Sequence, residues 1–416
     1  MVVLRDPNVL RVALARFVSR AGAEAAFFVG IWGKAAYEFD ATPREQAMVM
    51  ASMGIFTLVG AAIAGVLVDR FDPKRVLMGA EIIFVPSTLA LVLPETVLQL
   101  SAVVAISAVC GAAVMTAVGS FPPLLTEDSH QLHRINAVVE GAASSSFIMG
   151  PALGALIVRF LTLDWIFVFD AVTSVIAVIL VVRVRLRGMA ATERRSPFGE
   201  LRDGFRYAYA NRGLRLYLGI GTAVWLSFGS FGALEPLFYR DVLRTGPEAL
   251  GWINTIFGLG LVSGSALLNR LPASFVRART AIVCGLGSGL GAVIYTGTDD
   301  LRVVVFGATY WGVVLGVMLP AVRTLLQRDT PDHLIGRVMG VSHVHNQVGE
   351  LLPLTFVPAL AASLGLQRVL VGSGLVMIAI AAASLPEALK VDRSRLPEVR
   401  GPEPLEAADE PVSPNP

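Results

Sequence analysis

The residues best placed to do chemistry lie in the first apolar stretch of the chain, RFVSRAGAEAAFFVGIWGK at 16–34, which carries Arg16, Arg20, Glu24 and Lys34. On an ideal helix Arg16, Arg20 and Glu24 step round by about 40° each, and Lys34 returns close to the Arg16 bearing, so all four share an arc of about 80°. A carboxyl held near mid-membrane can exchange a proton, with desolvation and the nearby Arg20 charge acting on it in opposite senses. The stripe therefore offers proton or cation binding coupled to a movement. Its bland alternative is an Arg20–Glu24 pair that only neutralises itself.

The element that positions these charges must sit in lipid. Hydrophobic residues make up 54% of the 416 and charged residues 16%, against roughly a quarter charged in a soluble domain. Many of the 40 Gly and 23 Pro fall inside apolar runs, as is common in membrane helices. A water-soluble enzyme is excluded on this balance. The net charge of +2 gives no reason to expect nucleic acid as a partner. Cys110 and Cys284 lie inside apolar runs and can build neither a disulfide framework nor a metal cluster, so no metal or cofactor is expected. Arg16, Arg20 and Glu24 also interrupt any signal-peptide core.

About 20 apolar residues cross the hydrocarbon layer. On that scale spans are expected near 14–36, 46–68, 76–94, 97–119, 137–159 and 162–183, then near 214–238, 248–270, 278–298, 303–323, 338–364 and 368–387. The long runs predict helices rather than a barrel. With the N-terminus inside, the inner segments hold 25 Lys and Arg and the outer connections 6, the other three of the 34 being in the first span. That bias puts both termini in the cytoplasm of a multi-pass cell-membrane protein.

The expected fold is all-α, with twelve transmembrane helices in two pseudo-symmetric six-helix bundles. The bundles cover 1–183 and 214–390. Between them, 184–213 is a cytoplasmic linker in which Phe198, Leu201, Phe205 and Tyr209 recur at helical spacing, as in an amphipathic surface helix. Residues 391–416 have the composition of a disordered tail. The halves resemble one another at an offset near 200: LLTEDSHQLHRINA at 124–137 lines up with LLQRDTPDHLIGRVMG at 325–340, and GVLVDR at 65–70 with SALLNR at 265–270. Parallel six-span repeats with a substrate site between them are a transporter architecture.

At this point the chain resembles the major facilitator superfamily, over residues 10–390. Gly65-Val66-Leu67-Val68-Asp69-Arg70-Phe71-Asp72-Pro73-Lys74-Arg75 is similar to the family's loop signature between spans two and three, with Asp72 where a glycine is usual. Gly150-Pro151-Ala152-Leu153-Gly154-Ala155 resembles the span-five signature of its exporters, with Ser146 and Ala155 in place of glycines. Arg16 to Gly22, Asn136, Thr324 to Gln327, Pro331 and Gly336-Arg337-Val338 resemble the branch of macrolide and enterobactin-type exporters. The span-four arginine that many proton-coupled exporters of the family carry has no counterpart, because residues 97–119 contain no charge. The resemblance implies efflux of small organic molecules, often driven by proton entry.

Other polar residues join the candidate sites. His343, Asn346, Gln347 and Glu350 take bearings of about 0°, −60°, 40° and −20° on span eleven, a stripe suited to a chamber wall or to a buried contact with another helix. With Arg20 and Glu24 they form the expected coupling and substrate site. His345 stands about 200° away, so HVH cannot present two ligands to a metal. Lys34 and Glu235, near the outer ends of spans one and seven, could close the outer mouth together, or snorkel without meeting. The loop residues Gly65, Asp69, Arg70, Lys74 and Arg75 form an expected cytoplasmic gate. There Asp69 meets amide donors at the start of span eleven, and the basic residues reach Glu127 or Asp128. Gly150, Pro151 and Gly154 are the exporter signature. Asp170 is expected to be structural, and Glu81 and Glu140 to reach the interface. GLGSGLG at 285–291 lacks a preceding strand and reads as close helix packing rather than a nucleotide loop.

The reading is a monomeric secondary transporter working by alternating access, a proton-coupled exporter of an amphipathic drug-like or siderophore-like compound. An importer or facilitator of a metabolite in the same fold is the alternative. A non-transporting membrane protein, receptor-like or lipid-modifying, is the alternative from another class.

Overall fold

Helix starts are written into the sequence where hydropathy falls. Asp6-Pro7, Thr42-Pro43 and Asp72-Pro73 open the first three helices, each with a side-chain oxygen accepting from the first-turn amides. Asp128 and Asp300 do the same for the fifth and tenth spans. Proline tolerates the first turn because its missing N–H is unpaired there anyway. Thr42 and Glu45 cap each other reciprocally, a device that satisfies two orphan amides at once.

The computed structural model describes residues 6–186 and 197–394, and among these there are helices and no strand. Eleven helices are long and apolar enough to cross a membrane: Pro43–Val68, Pro73–Val92, Val97–Leu125, His130–Phe160, Asp164–Val182, Arg212–Val242, Glu248–Leu268, Ala278–Thr296, Leu301–Arg328, Asp332–Leu364 and Leu366–Arg393. The twelfth is the leading helix. It runs over Pro7–Ala25 and continues through two π-helical stretches, Ala26–Ile31 and Lys34–Glu38. Its charges alone keep it out of a count by apolar length. The fold is therefore the expected all-α membrane protein of twelve spans, numbered here one to twelve.

Spans one to six pack among themselves, as do seven to twelve, and the two bundles touch through spans two and eleven, two and seven, and five and eight. Close packing rests on small residues. Gly260 and Gly264 of span eight lie against Gly312 and Gly316 of span ten, and Gly289, in the 285–291 stripe, lies on the Gly374 carbonyl of span twelve. Such residues let membrane helices approach at backbone distance. Asp69 and Asn269 occupy the C-cap position of spans two and eight, the same point in each bundle.

The inter-bundle contacts below lie toward the face opposite Pro7 and Arg393, where the first described helix starts and the last ends. A methyl group at Gly251 in span eight would sit 2.3 Å from the Pro151 carbonyl of span five, and one at Gly54 in span two 2.6 Å from Leu351 of span eleven. Thr255 Oγ1 donates to the Ile148 carbonyl at 3.4 Å. These contacts hold the bundles together at this far face.

The expected linker helix is Pro197–Ala210, whose Leu201 and Phe205 pack on the core; the Phe198 side chain and residues 187–196 lie outside the described residues. The final helix continues through Arg393, so its end falls inside the tail expected from 391. Residues 395–416 lie outside the description.

Candidate functional site

Span one is built to hold polar groups against its neighbours. Gly22, Gly30 and Gly33 face span six, where added methyl groups would meet Thr173, Phe167 and Leu163 at 2.0, 2.8 and 2.8 Å. Arg20 and Glu24 stand about 160° and 200° round from Gly22, and the Arg20 side chain reaches a cavity lined by spans three, four and six. Arg20 Nε donates to Glu24 Oε1 at 2.7 Å, with the two side chains 33% and 9% exposed. The pair is therefore held among spans one, four and five, with Arg20 beside Met115 and the Glu24 Cβ against Gly150.

Span five seals the pair from one side. A side chain at Gly150 would meet the Glu24 Cβ at 2.6 Å and the Ala21 carbonyl at 2.7 Å, and Gly154 lies against Val29. Ser146 Oγ donates to the Phe17 carbonyl at 2.8 Å. Pro151 turns its carbonyl to Gly251, so Gly150, Pro151 and Gly154 sit where spans one, five and eight meet. A bulky residue there would displace the helix that carries Glu24.

Lys34 leaves the expected arc. The π-helical stretch Ala26–Ile31 widens the helical register ahead of it, and Lys34 is swung into a buried nest beside span six. Its Nζ donates to Asp164 Oδ1 at 2.7 Å and to the Val92 carbonyl at 3.2 Å, with Glu38 at 3.3 Å. Glu235 is also buried, accepting from the hydroxyls of Tyr239 and Tyr295. Lys34 and Glu235 neither meet nor snorkel, because each is already satisfied inside its own bundle.

A different residue ties the far mouth. Arg240, at the end of span seven, donates from Nη1 to the Ala36 carbonyl at 2.6 Å and to the Ala41 carbonyl at 3.4 Å, with Asp40 at 3.7 Å. Asp241 holds its other edge at 2.6 Å. The helices that meet are the expected ones, spans one and seven, but the acceptors are backbone carbonyls. Arg240→Ala should loosen this mouth by about 1 kcal/mol, the scale of a partly exposed charge-assisted hydrogen bond. Labelling of a Thr245→Cys thiol from the far face should then quicken by about fivefold; an unchanged rate would show that Arg240 is not a latch.

On span eleven His343, Asn346, Gln347 and Glu350 share one side, while Val348 and Leu352, which take the opposite arc, are exposed apolar residues. Leu351 on one flank meets Gly54 of span two, and Gly349 on the other meets the Thr222 carbonyl and Trp225 of span seven. The stripe therefore looks into the gap between the bundles, and Asn346 Oδ1 lies 3.8 Å from where a methyl group on Gly221 would stand. His345 has another task. Its Nε2 bonds the Tyr209 hydroxyl at 2.8 Å and its ring lies beside Phe205, both on the linker helix.

The loop at 65–75 does not make the expected contacts. Asp69, Arg70 and Arg75 are exposed, and among the described residues the Asp69 side chain makes no hydrogen bond or ion pair, while its backbone N–H closes the end of span two on the Gly65 carbonyl at 3.1 Å. Lys74 donates to the Val182 and Val184 carbonyls at 2.6 and 3.0 Å, at the end of span six, where a helix C-terminus attracts cations. Asp128 is engaged in capping span five through the His130 amide at 2.8 Å, a bond that holds its carboxyl below the usual range. Glu127 is exposed. Gly65 has open space around it, as expected where a partner loop is not docked. Arg337, near the start of span eleven, pairs instead with Asp203 of the linker helix at 3.1 Å.

Sequence reasoning missed Glu81. Glu140 is exposed as expected, but Glu81 in span three is 3% exposed and lines a small cavity inside the first bundle with Arg16, Ser19, Arg20 and Met115. Asp170 is buried and accepts from Thr88 Oγ1 at 2.8 Å.

This architecture has relatives. The Major Facilitator Superfamily pattern matches residues 12–352 and 216–414. The chain is 29% identical over 368 residues to the multidrug efflux pump Tap of Mycobacterium tuberculosis (strain ATCC 25618 / H37Rv), spanning 81% of this chain and 85% of that one. It is 28% identical over 243 residues to macrolide efflux protein A of Streptococcus pyogenes, spanning 56% and 60%. Among solved structures it is similar to the nucleoside transporter NupG, with TM-score 0.75 and 12% identity over 91% of this chain and 99% of that one. A bacterial homologue of the lysosomal transporter Spinster, in an inward-facing and unoccupied conformation, gives TM-score 0.69 and 14% identity over 93% and 99%. Twelve spans, two bundles and these matches together make the chain a multi-pass membrane transporter, not an enzyme, and it belongs to the Major Facilitator Superfamily.

Proposed function

We propose that this transporter is a proton-coupled exporter of small amphipathic organic compounds, working by alternating access as a monomer in the cell membrane. The observation that carries the reading is the Arg20–Glu24 pair, with Glu24 buried and Arg20 half-buried, close to where spans one, five and eight converge. Ionisable groups at membrane depth mark ion or substrate routes. The bias of Lys and Arg supports placing both termini in the cytoplasm. The chamber would then stand open to the cytoplasm, with the far mouth closed by Arg240 and by the contacts of Gly54 and Gly251. The loop 65–75, with Asp69 and Arg70, is its released cytoplasmic gate. Docking of that loop on span eleven would shut this side when the chamber opens outward.

In this scheme Glu24 takes a proton from the outside when the chamber faces out, and gives it up when the chamber faces in. The proton weakens the bond to Arg20, which frees the guanidinium and lets the compound depart. His343, Asn346, Gln347 and Glu350 form the opposite wall, able to bond polar groups of a compound whose apolar part lies on the aromatic and aliphatic lining. Efflux by the relatives named above supports drug-like compounds as the substrate class. The test is accumulation of erythromycin and of ethidium in cells expressing the chain. Lower accumulation that returns to the control level when the proton gradient is collapsed supports the reading. Raised accumulation would favour import, and no change with any of a broad panel would remove export.

A further inference from the structure

We propose that Glu81 is a second proton-carrying carboxyl of this transporter, placed in a side cavity of the first bundle and linked to Glu24 through Arg20. The inference rests on the proton-coupled reading above and adds a residue to it. Glu81 is 3% exposed, and its Oε2 has no hydrogen-bond partner. A buried carboxylate with neither counter-ion nor donor is costly, so such a group holds a proton or finds one partner. The cavity it lines also holds Arg16 and Arg20, whose Nη1 atoms lie 3.1 and 3.9 Å from Met115 Sδ. Arg16 Nε is likewise buried without a partner. The space suits a water molecule and not a drug-sized compound. Its cargo is therefore the proton.

The groups facing Glu81 come from three helices. Span one supplies Arg16 and Arg20, span four Cys110 and span six Asp170. Of these Arg20 alone is bonded to Glu24. When Glu24 accepts a proton, its charge is lost and Arg20 is released. The guanidinium then turns within the cavity to Glu81, which passes its own proton to water on the terminal side and binds Arg20 as a carboxylate. One proton enters at Glu24 and one leaves at Glu81, with no change of oxidation state. The span-one arginine thus exchanges partners, and span three becomes part of the proton path.

The experiment uses the full-length protein in lipid. Infrared difference spectra between acid and alkaline pH should show a protonated-carboxyl band that disappears in Glu81→Gln and persists in Asp170→Asn. In proteoliposomes with an imposed pH gradient, Glu81→Gln should lower uphill ethidium transport by about tenfold, the scale of one unit of proton linkage. Downhill counterflow should stay within about twofold, which reports that the protein is folded, and Glu81→Asp should restore most of the loss. An unchanged spectrum, or full gradient-driven transport in Glu81→Gln, overturns the role of Glu81 even where Glu24→Gln is inactive. If the unmodified protein ignores the gradient, the coupling reading fails by itself, and the infrared band still decides whether Glu81 carries a proton.

Discussion

Replacing Glu24 with Gln should reduce export against a gradient by about a hundredfold, while downhill movement stays within about threefold, because only the first process needs a proton-binding group at this position. The amide keeps the shape of the carboxyl and can accept from Arg20, which sits 2.7 Å away. It cannot change charge. Gly150 presses on the Glu24 Cβ and on the Ala21 carbonyl, so a larger change such as Glu24→Leu would confuse loss of the proton with loss of packing. The measurement is ethidium flux in proteoliposomes with and without an imposed pH difference. The pH response of the unmodified protein should be lost in the variant. Full gradient-driven export by Glu24→Gln would leave the Arg20–Glu24 pair as a structural feature only.

The second large effect comes from the contact between spans five and eight. Gly251 lies so close to the Pro151 carbonyl and to Ala155 Cβ that an added methyl would stand 2.3 and 2.6 Å from them. Gly251→Leu forces the far halves of the bundles apart, and overpacking of this kind costs about 1–3 kcal/mol. Here the strain need not unfold the protein, because opening the far mouth relieves it. The equilibrium should shift toward the far-open state by about 5–150-fold. Thiol labelling of single cysteines at the far mouth measures that shift. Gly264→Leu is the control, since Gly264 meets the Val313 carbonyl inside the second bundle. It should lower thermal stability without moving the conformational balance. Equal effects of the two variants on labelling would mean that span five against span eight is not the moving seam.

The membrane fold was legible in the sequence because length and hydropathy are local properties. The same holds for the Arg20–Glu24 pair, which needs only a spacing of four on one helix, and for the side of span eleven that carries His343 and Glu350. Lys34 was not legible. The π-helical stretch Ala26–Ile31 rotates it toward Asp164, and nothing in the composition of AFFVGI announces such a turn. The tyrosines that satisfy Glu235 come partly from span nine, 60 residues away in the case of Tyr295. The Arg240 latch uses backbone carbonyls of Ala36 and Ala41, acceptors that every residue owns and that no pattern of side chains can mark. Lys74 was assigned to acidic residues but found carbonyls at a helix end for the same reason. Glu81 was placed at the interface on its distance from the span end, whereas its burial depends on how spans one, three, four and six close around it.

The account stands or falls on two mouths that open in turn, with Glu24 setting the balance between them. Spin-label distances on the full-length protein in lipid test this directly, with one pair at Phe71 and Arg270 on the terminal face and another at Glu95 and Asp299 on the far face. Lowering the pH should shorten one distance and lengthen the other, and Glu24→Gln should hold both at a single value across the same pH range. Distances that stay fixed in the unmodified protein, or that change in the same sense at both faces, would contradict alternating access in this chain.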